Sequence, residues 1–165
     1  MTRIFACSIV AAGVVAFACD DQSVETKRSQ IAAVLDDWHR AAAEANEDRY
    51  FSHLTADAVF LGTDATERWS REAFREYAKP HFAKGKAWTF KSKRRDVNFS
   101  KDGSVAWFDE LLDTANMGTC RGSGVLVLDG GRWKIAQYNL SVPIPNEAFA
   151  DVKKVIDAAA KPKDR

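Results

Sequence analysis

Up to Gly85 the apolar positions recur mostly at helical intervals; beyond it they alternate as in strands. Ile31, Leu35, Trp38, Ala42 and Ala45 are spaced by three and four, one stripe of an amphipathic helix with Asp36, Asp37 and Arg40 off it. Asn46 can end this helix or cap the next, and Glu47 to Leu54 reads as a short helix with Tyr50, Phe51 and Leu54 inward. Ala58 to Leu61 predicts a short strand closed by Gly62. Ser70 is placed as an N-cap, with Glu72 in the first turn, where the helix dipole favours a negative charge. Phe74, Tyr77, Ala78 and Phe82 form the stripe of that helix, disturbed in its last turn by Pro80, which cannot donate to the Glu76 carbonyl.

The strands follow. Trp88 to Phe90 begins one, and Val97 to Phe99 continues or follows it. Lys101-Asp102-Gly103 is a turn, Val105 to Leu112 a strand, Asn116 to Gly118 a turn and Thr119 to Leu128 a strand. Asp129-Gly130-Gly131 is a tight hairpin, and Arg132 to Val142 is the last strand, stopped by Pro143 and Pro145. Asn146 can cap a closing helix in which Phe149, Val152, Val155 and Ile156 share a face, with Lys161 to Arg165 frayed beyond it. Helices first and an antiparallel meander afterwards predict an α+β fold, its helices on one face of a bent sheet.

The first residues read as an address. Met1-Thr2-Arg3 supplies one positive charge, and Ile4 to Ala18 carries none. That stretch is shorter than the about 20 apolar residues a bilayer span needs, and it fits a secretory signal. Ala16-Phe17-Ala18 is a cleavage pattern, and a small residue before Cys19 is similar to a bacterial lipobox, in which that Cys is acylated. The expected organisation is a signal peptide over 1–18, a polar tether over 19–28, a folded domain over 29–149, and a C-terminal helix and tail over 150–165. The expected location is exported, either anchored on the periplasmic side through a lipid on Cys19 or secreted. The membrane enters only through that anchor. Cys7 leaves with the signal, so Cys120 is the one thiol of the folded part and reads as a small buried apolar residue.

Composition narrows the partners. With 165 residues, 46% apolar and 28% charged, the chain is one soluble domain that needs no disulfide or metal to hold it. A net charge of +1 removes the electrostatic footprint of a nucleic-acid binder. The dense basic run Lys91, Lys93, Arg94, Arg95 reads as a solvated strand edge. His39, His53 and His81 have no metal-site spacing; His39 is expected at a helix border and His53 on a surface turn. Arg121-Gly122-Ser123-Gly124 lies inside a strand and is no phosphate cradle, and no nucleophile elbow is present. No metal and no cofactor are expected.

The wording of the last three strands carries a family signal. Val105 to Glu110, Arg121 to Leu126 and Arg132 to Ser141, with the tail Pro143-Ile144-Pro145-Asn146-Glu147, resemble SnoaL-like proteins of the nuclear transport factor 2-like superfamily. The resemblance covers roughly residues 29 to 149. It implies a cone-shaped fold, N-terminal helices packed on a curved, mostly antiparallel sheet around a pocket, and often a homodimer through the open sheet face. The superfamily holds polyketide cyclases, ketosteroid isomerases, dehydratases and epoxide hydrolases, and also proteins that only bind or assemble, so fold alone does not give the activity.

In such a cone the pocket is lined by strand residues facing the helices. One row of the strand at 105–112 holds Val105, Trp107, Asp109 and Leu111; the other holds Ala106, Phe108, Glu110 and Leu112. Either places a carboxylate among apolar side chains, where burial would raise its pKa toward that of a general acid or base. Alternatively the inward carboxylate pairs with Arg121 or Gln137 in a buried polar network. A three-residue turn at 129–131 would set Arg121 near Asn139 and Ser123 near Gln137, while a two-residue turn would set Arg121 beside Leu140 and Ser123 beside Tyr138. The first matches polar with polar and gives a site for an apolar ligand with a polar or anionic group, which Arg121 could hold; the same set could be a dimer interface. Asp109, Glu110 and His81 are therefore the acid/base candidates. Trp69, Trp107, Arg121, Gln137, Tyr138 and Asn139 are the ligand-binding candidates, with Asp64 beside Trp69 near the entrance. The expected function is binding of a small molecule. The alternatives are a cofactor-free isomerase, cyclase or dehydratase, and a dimeric structural or assembly module.

Overall fold

The stripe beginning at Ile31 lies on a helix that starts well before it. The structure, a computed structural model, describes residues 12–160, with side chains from residue 23. Helix α1 spans Ala12–Ala43, so the segment expected as a tether is helical. Of the expected signal segment, residues 1–11 lie outside the described residues, as does the side chain of Cys19; the tail 161–165 lies outside them too. No helix among the described residues is long and apolar enough to cross a membrane.

Asn46 caps α2, Glu47–Ser52, by accepting from the Arg49 amide at 3.1 Å. Strand β1 runs Leu54–Leu61 and is followed by β2, Arg68–Ser70, a short strand for which the sequence pattern predicts no element. Ser70 caps α3, Arg71–Phe82, by accepting from Ala73 at 3.2 Å. Pro80 sits in the last turn of α3, where its missing N–H costs one helical hydrogen bond, the one to the Glu76 carbonyl, and little helix remains to be disturbed. The remaining strands are β3, Lys91–Phe99, β4, Val105–Thr114, β5, Gly118–Asp129, and β6, Arg132–Ser141. Trp88 to Phe90 precede β3 as loop rather than beginning it. A single tight turn at Asn146–Ala148 leads to α4, Phe149–Ala159, which buries none of its residues.

The six strands form one curved, unclosed mixed sheet in the order β2-β1-β6-β5-β4-β3, with β1 parallel to β6 and every other pair antiparallel. Helices α1 to α3 cover one face. Ile31, Leu35, Trp38 and Ala42 of the first stripe are buried, joined by Tyr50 and Phe51 of α2 and Phe74, Ala78 and Phe82 of α3. Each such large side chain stabilises the fold by about 1.5–3 kcal/mol relative to exposure. The architecture is the α+β cone expected from the sequence.

The hairpin register differs from both alternatives. Gly130 and Gly131 have φ of 55° and 78°, so a two-residue turn pairs Asp129 with Arg132 and Leu126 with Ile135. A bulge then shifts the register, and Val125 faces Gln137, Ser123 faces Asn139 and Arg121 faces Ser141. The bulge keeps Trp133 and Ile135 on the buried face and lets Tyr138 and Leu140 return to it. A strict alternation would have turned Tyr138 outward.

Candidate ligand cavity

The pleat of β4 decides between the two carboxylate rows. Ala106, Phe108, Glu110 and Leu112 face the helices and are buried, while Trp107, 47% exposed, and Asp109 face away. Glu110 is only 1% exposed. A lone ionised carboxylate there would be very costly, so its partners decide its state.

Three side chains meet it. His39 reaches down from α1, its Nε2 2.7 Å from Glu110 Oε1. Arg95, directly opposite Glu110 on β3, donates from Nε and Nη2 to Oε2 at 3.0 and 2.8 Å. The same guanidinium donates to Asp36 Oδ1 at 2.9 Å and to the Ala32 carbonyl at 3.3 Å, tying β3 to α1. The Tyr138 hydroxyl donates to Oε1 at 3.3 Å. Room for that hydroxyl comes from Gly122, where an added Cβ would lie 2.2 Å from it and 3.0 Å from Glu110 Oε1.

Burial, the largest single influence, pushes the Glu110 pKa up. The His39 hydrogen bond, with the attraction of His39 and Arg95, outweighs it and holds the carboxyl below its ordinary value. The raised pKa expected for an inward carboxylate is therefore corrected: Glu110 is an ionised acceptor. A carboxylate can only accept, so His39 Nε2 donates the hydrogen of this bond. The Tyr138 phenol is held well above its usual pKa by burial and by the Glu110 charge, and stays a donor.

Above this cluster is a cavity of about 300 Å³. Its wall is aromatic: Trp38, Tyr50, Phe60, Trp69, Phe74, Trp88, Phe90 and Tyr138, with His39 in the wall and His81 among the lining residues. Phe60 and Phe74 stack with centroids 3.9 Å apart, and Trp69 stacks on Tyr77 at 4.8 Å. A wider hollow of about 560 Å³ shares Ala87, Trp88 and Asn116 with it. No group of His, Cys, Asp and Glu among the described residues could hold a metal ion.

The structure brings some of the expected residues to this cavity and not others. Tyr138, Trp69 and His81 line it, and Glu110 lies behind Tyr138 and His39. Asp109, Trp107, Arg121, Gln137 and Asn139 lie on the opposite face of the sheet, so the polar end built from Arg121 belongs to the outer surface. The partners expected for the inward carboxylate, Arg121 and Gln137, are replaced by Arg95 and His39. His39 is buried rather than at a border, and His53 is half-buried against Asp37, its Nε2 2.9 Å from Oδ2. Cys120 is buried and free. His39 was legible as the next step of Ile31 and Leu35 at intervals of four, and Arg95 as the alternate of the inward Val97 and Phe99. The basic run hid the second signal.

The chain matches the SnoaL-like domain family over residues 31–145. It belongs to that family. Among solved structures it is similar to a nuclear transport factor 2-like protein of unknown function from Pseudomonas putida, with TM-score 0.63, 15% identity, and coverage of 75% of this chain and 92% of that one. A candidate scytalone dehydratase from Novosphingobium aromaticivorans has TM-score 0.61 and 12% identity, over 76% of this chain and 89% of its own. A candidate aromatic ring hydroxylase from the same organism has TM-score 0.60 and 18% identity, over 72% and 90%. At these identities the likeness is one of fold. No curated protein matches the chain.

Proposed function

We propose that this protein is an exported SnoaL-like domain that binds a small, flat, mostly apolar molecule carrying one polar group. The observation that carries this reading is the aromatic cavity of about 300 Å³ with a buried polar cluster at its wall. Apolar walls with a few converging polar groups are the usual design of a small-molecule site. Signal cleavage, acylation of Cys19 and pairing of two copies through the Trp107 face belong to the same proposal. Export is tested by fractionating cells and weighing the mature N-terminus.

A second reading is favoured by one feature, the His39–Glu110 pair. An ionised carboxylate behind an imidazole stabilises the cation formed when His39 accepts a proton. With Tyr138 as a neighbouring donor, the cavity has the parts for cofactor-free proton transfer, as in an isomerase, cyclase or dehydratase. The similarity to a candidate scytalone dehydratase is in keeping with it.

A thermal-shift panel of flat bicyclic and tricyclic molecules against the full chain tests the binding reading. Expected are hits that raise Tm and are lost in Phe74→Asp. A panel with no hit, or hits indifferent to that change, overturns it. Turnover of a hit, lost in His39→Ala, would establish the second reading; unchanged hits after long incubation would remove it.

A further inference from the structure

The lining of the aromatic cavity grades from sealed to open. Trp38, Tyr50 and Tyr138 are buried, Trp69 and Glu67 are half-buried, and Tyr77 is 46% exposed. The last three therefore mark its mouth. Trp69 and Tyr77 stack there, centroids 4.8 Å apart and planes at 24°, with Phe74 against both. Glu67 is held beside Gly62, whose amide donates to the Glu67 carbonyl at 2.9 Å. Gly62 also lines the cavity, and its missing side chain leaves the room the carboxylate occupies: an added Cβ would collide with Glu67 Oε2. That oxygen accepts from the Asp64 amide at 3.2 Å, and Glu67 forms no ion pair among the described residues.

The charges around this mouth select what it can take. Nine of the lining side chains are Trp, Tyr or Phe, whose ring faces are electronegative. Neither lysine nor arginine lines the cavity among the described residues. Lys86 belongs to the wider hollow beside it, together with Asp113. Arg95 is engaged by Glu110, Asp36 and the Ala32 carbonyl. An anionic group would thus lose water against ring faces and a like charge, with no cation to meet it. A neutral group gains little from either, and a cation gains from both. A primary ammonium is strongly hydrated and needs several acceptors in place of its water. An alkylated ammonium is weakly hydrated and lays its methyl groups on ring faces.

We infer that Trp69, Tyr77 and Glu67 form a subsite for an organic cation, an alkylated ammonium carried by the flat apolar ligand, and that the mouth selects against the corresponding anion. This rests on the binding reading above and sharpens it. The ligand class is the aryl-substituted quaternary or tertiary amine, its rings inside the aromatic wall and its charge at the mouth.

Three matched probes test it: naphthylmethyl-trimethylammonium, neopentylnaphthalene, in which carbon replaces the charged nitrogen, and naphthylacetate. Titration of the full chain is followed through tryptophan fluorescence. The ammonium is expected to bind roughly tenfold tighter than its uncharged twin, with naphthylacetate weakest. Glu67→Gln keeps an acceptor for the Asp64 amide and removes the charge, and should reduce that preference about threefold. Tyr77→Leu, at an exposed position, should reduce it by a similar factor. Both variants should bind neopentylnaphthalene as the wild type does, which a general loss of the cavity would not allow. An ammonium that binds no tighter than neopentylnaphthalene, tightest binding of naphthylacetate, or a preference that survives both substitutions overturns the subsite and leaves the cavity as a binding site. Absence of binding by all three overturns both readings.

Discussion

Asp109 and Glu110 are neighbours in sequence and opposites in structure. Asp109 faces Asp96 and Ser123 on the exposed side of the sheet and takes no part in lining the aromatic cavity. Glu110, one residue on, is sealed beneath α1 and holds His39, Arg95 and Tyr138. The same contrast runs across the sheet. The outer face carries Trp107, Arg121, Gln137 and Asn139; the inner face carries Phe108, Gly122, Tyr138 and the hollow. What separates a surface charge from a candidate functional one is therefore the phase of the pleat, fixed by the side on which α1 to α3 pack.

The sharpest way to break this contrast is Arg95→Met. It leaves Glu110 charged and underpaired in the interior, and should lower stability by about 3–5 kcal/mol in urea unfolding. Asp109→Asn, beside it, should stay within about 0.5 kcal/mol. Next comes Glu110→Gln, expected to cost roughly 1.5–3 kcal/mol at neutral pH, the range for hydrogen bonds to a charged group.

That variant also has a signature in acid. The folded pKa of Glu110 lies below its ordinary value of 4.5. The unfolded chain therefore takes up this proton first, and the stability Glu110 contributes is complete above the ordinary value and disappears as pH falls through the folded one. Unfolding measured against pH should show a steeper acid decline in the wild type than in Glu110→Gln. Equal slopes for wild type and Glu110→Gln would remove the ionised buried carboxylate from the account.

Glycine substitutions give a smaller and more local contrast. At Gly124 a Cβ would meet the Gln137 carbonyl oxygen at 2.2 Å, which is backbone; at Gly122 it would meet the far end of the Tyr138 side chain. Gly124→Ala should sit at the upper end of the about 1–3 kcal/mol typical of overpacking, and Gly122→Ala at the lower end. Gly122→Ala should still weaken ligand binding, since it separates Tyr138 from Glu110. The smallest effect is expected on the outer face, where Arg121→Ala should change neither stability by more than about 0.5 kcal/mol nor ligand affinity.

Much of this was written in the chain. The apolar stripes placed α1 and α3, the polar runs with glycine placed the turns, and Asn46 and Ser70 marked helix starts that the structure keeps. The row containing Glu110 was visible as one of two alternatives, but pattern alone could not choose, because each row sets a carboxylate among large apolar side chains. The choice depends on packing between helices and sheet, and no local spacing encodes it. The bulge in β6 was likewise hidden: Gly130-Gly131 announces a tight turn, yet the register slip at Ala136 comes from keeping Ile135 and Tyr138 on one face. Arg95 is masked in the sequence because its neighbours Lys93 and Arg94 are exposed, and a run of basic residues conceals the one that alternation turns inward.

The five tryptophans make the central contrast measurable. Trp38, Trp69 and Trp88 line the cavity, and Trp107 lies on the outer face. In a nitrogen–proton correlation spectrum of the full chain, adding a bicyclic hit of the thermal-shift panel should move the indole signals of Trp38, Trp69 and Trp88 and leave that of Trp107 in place. Movement of Trp107 with the other three unmoved would put the ligand on the wrong side of the sheet and contradict the account.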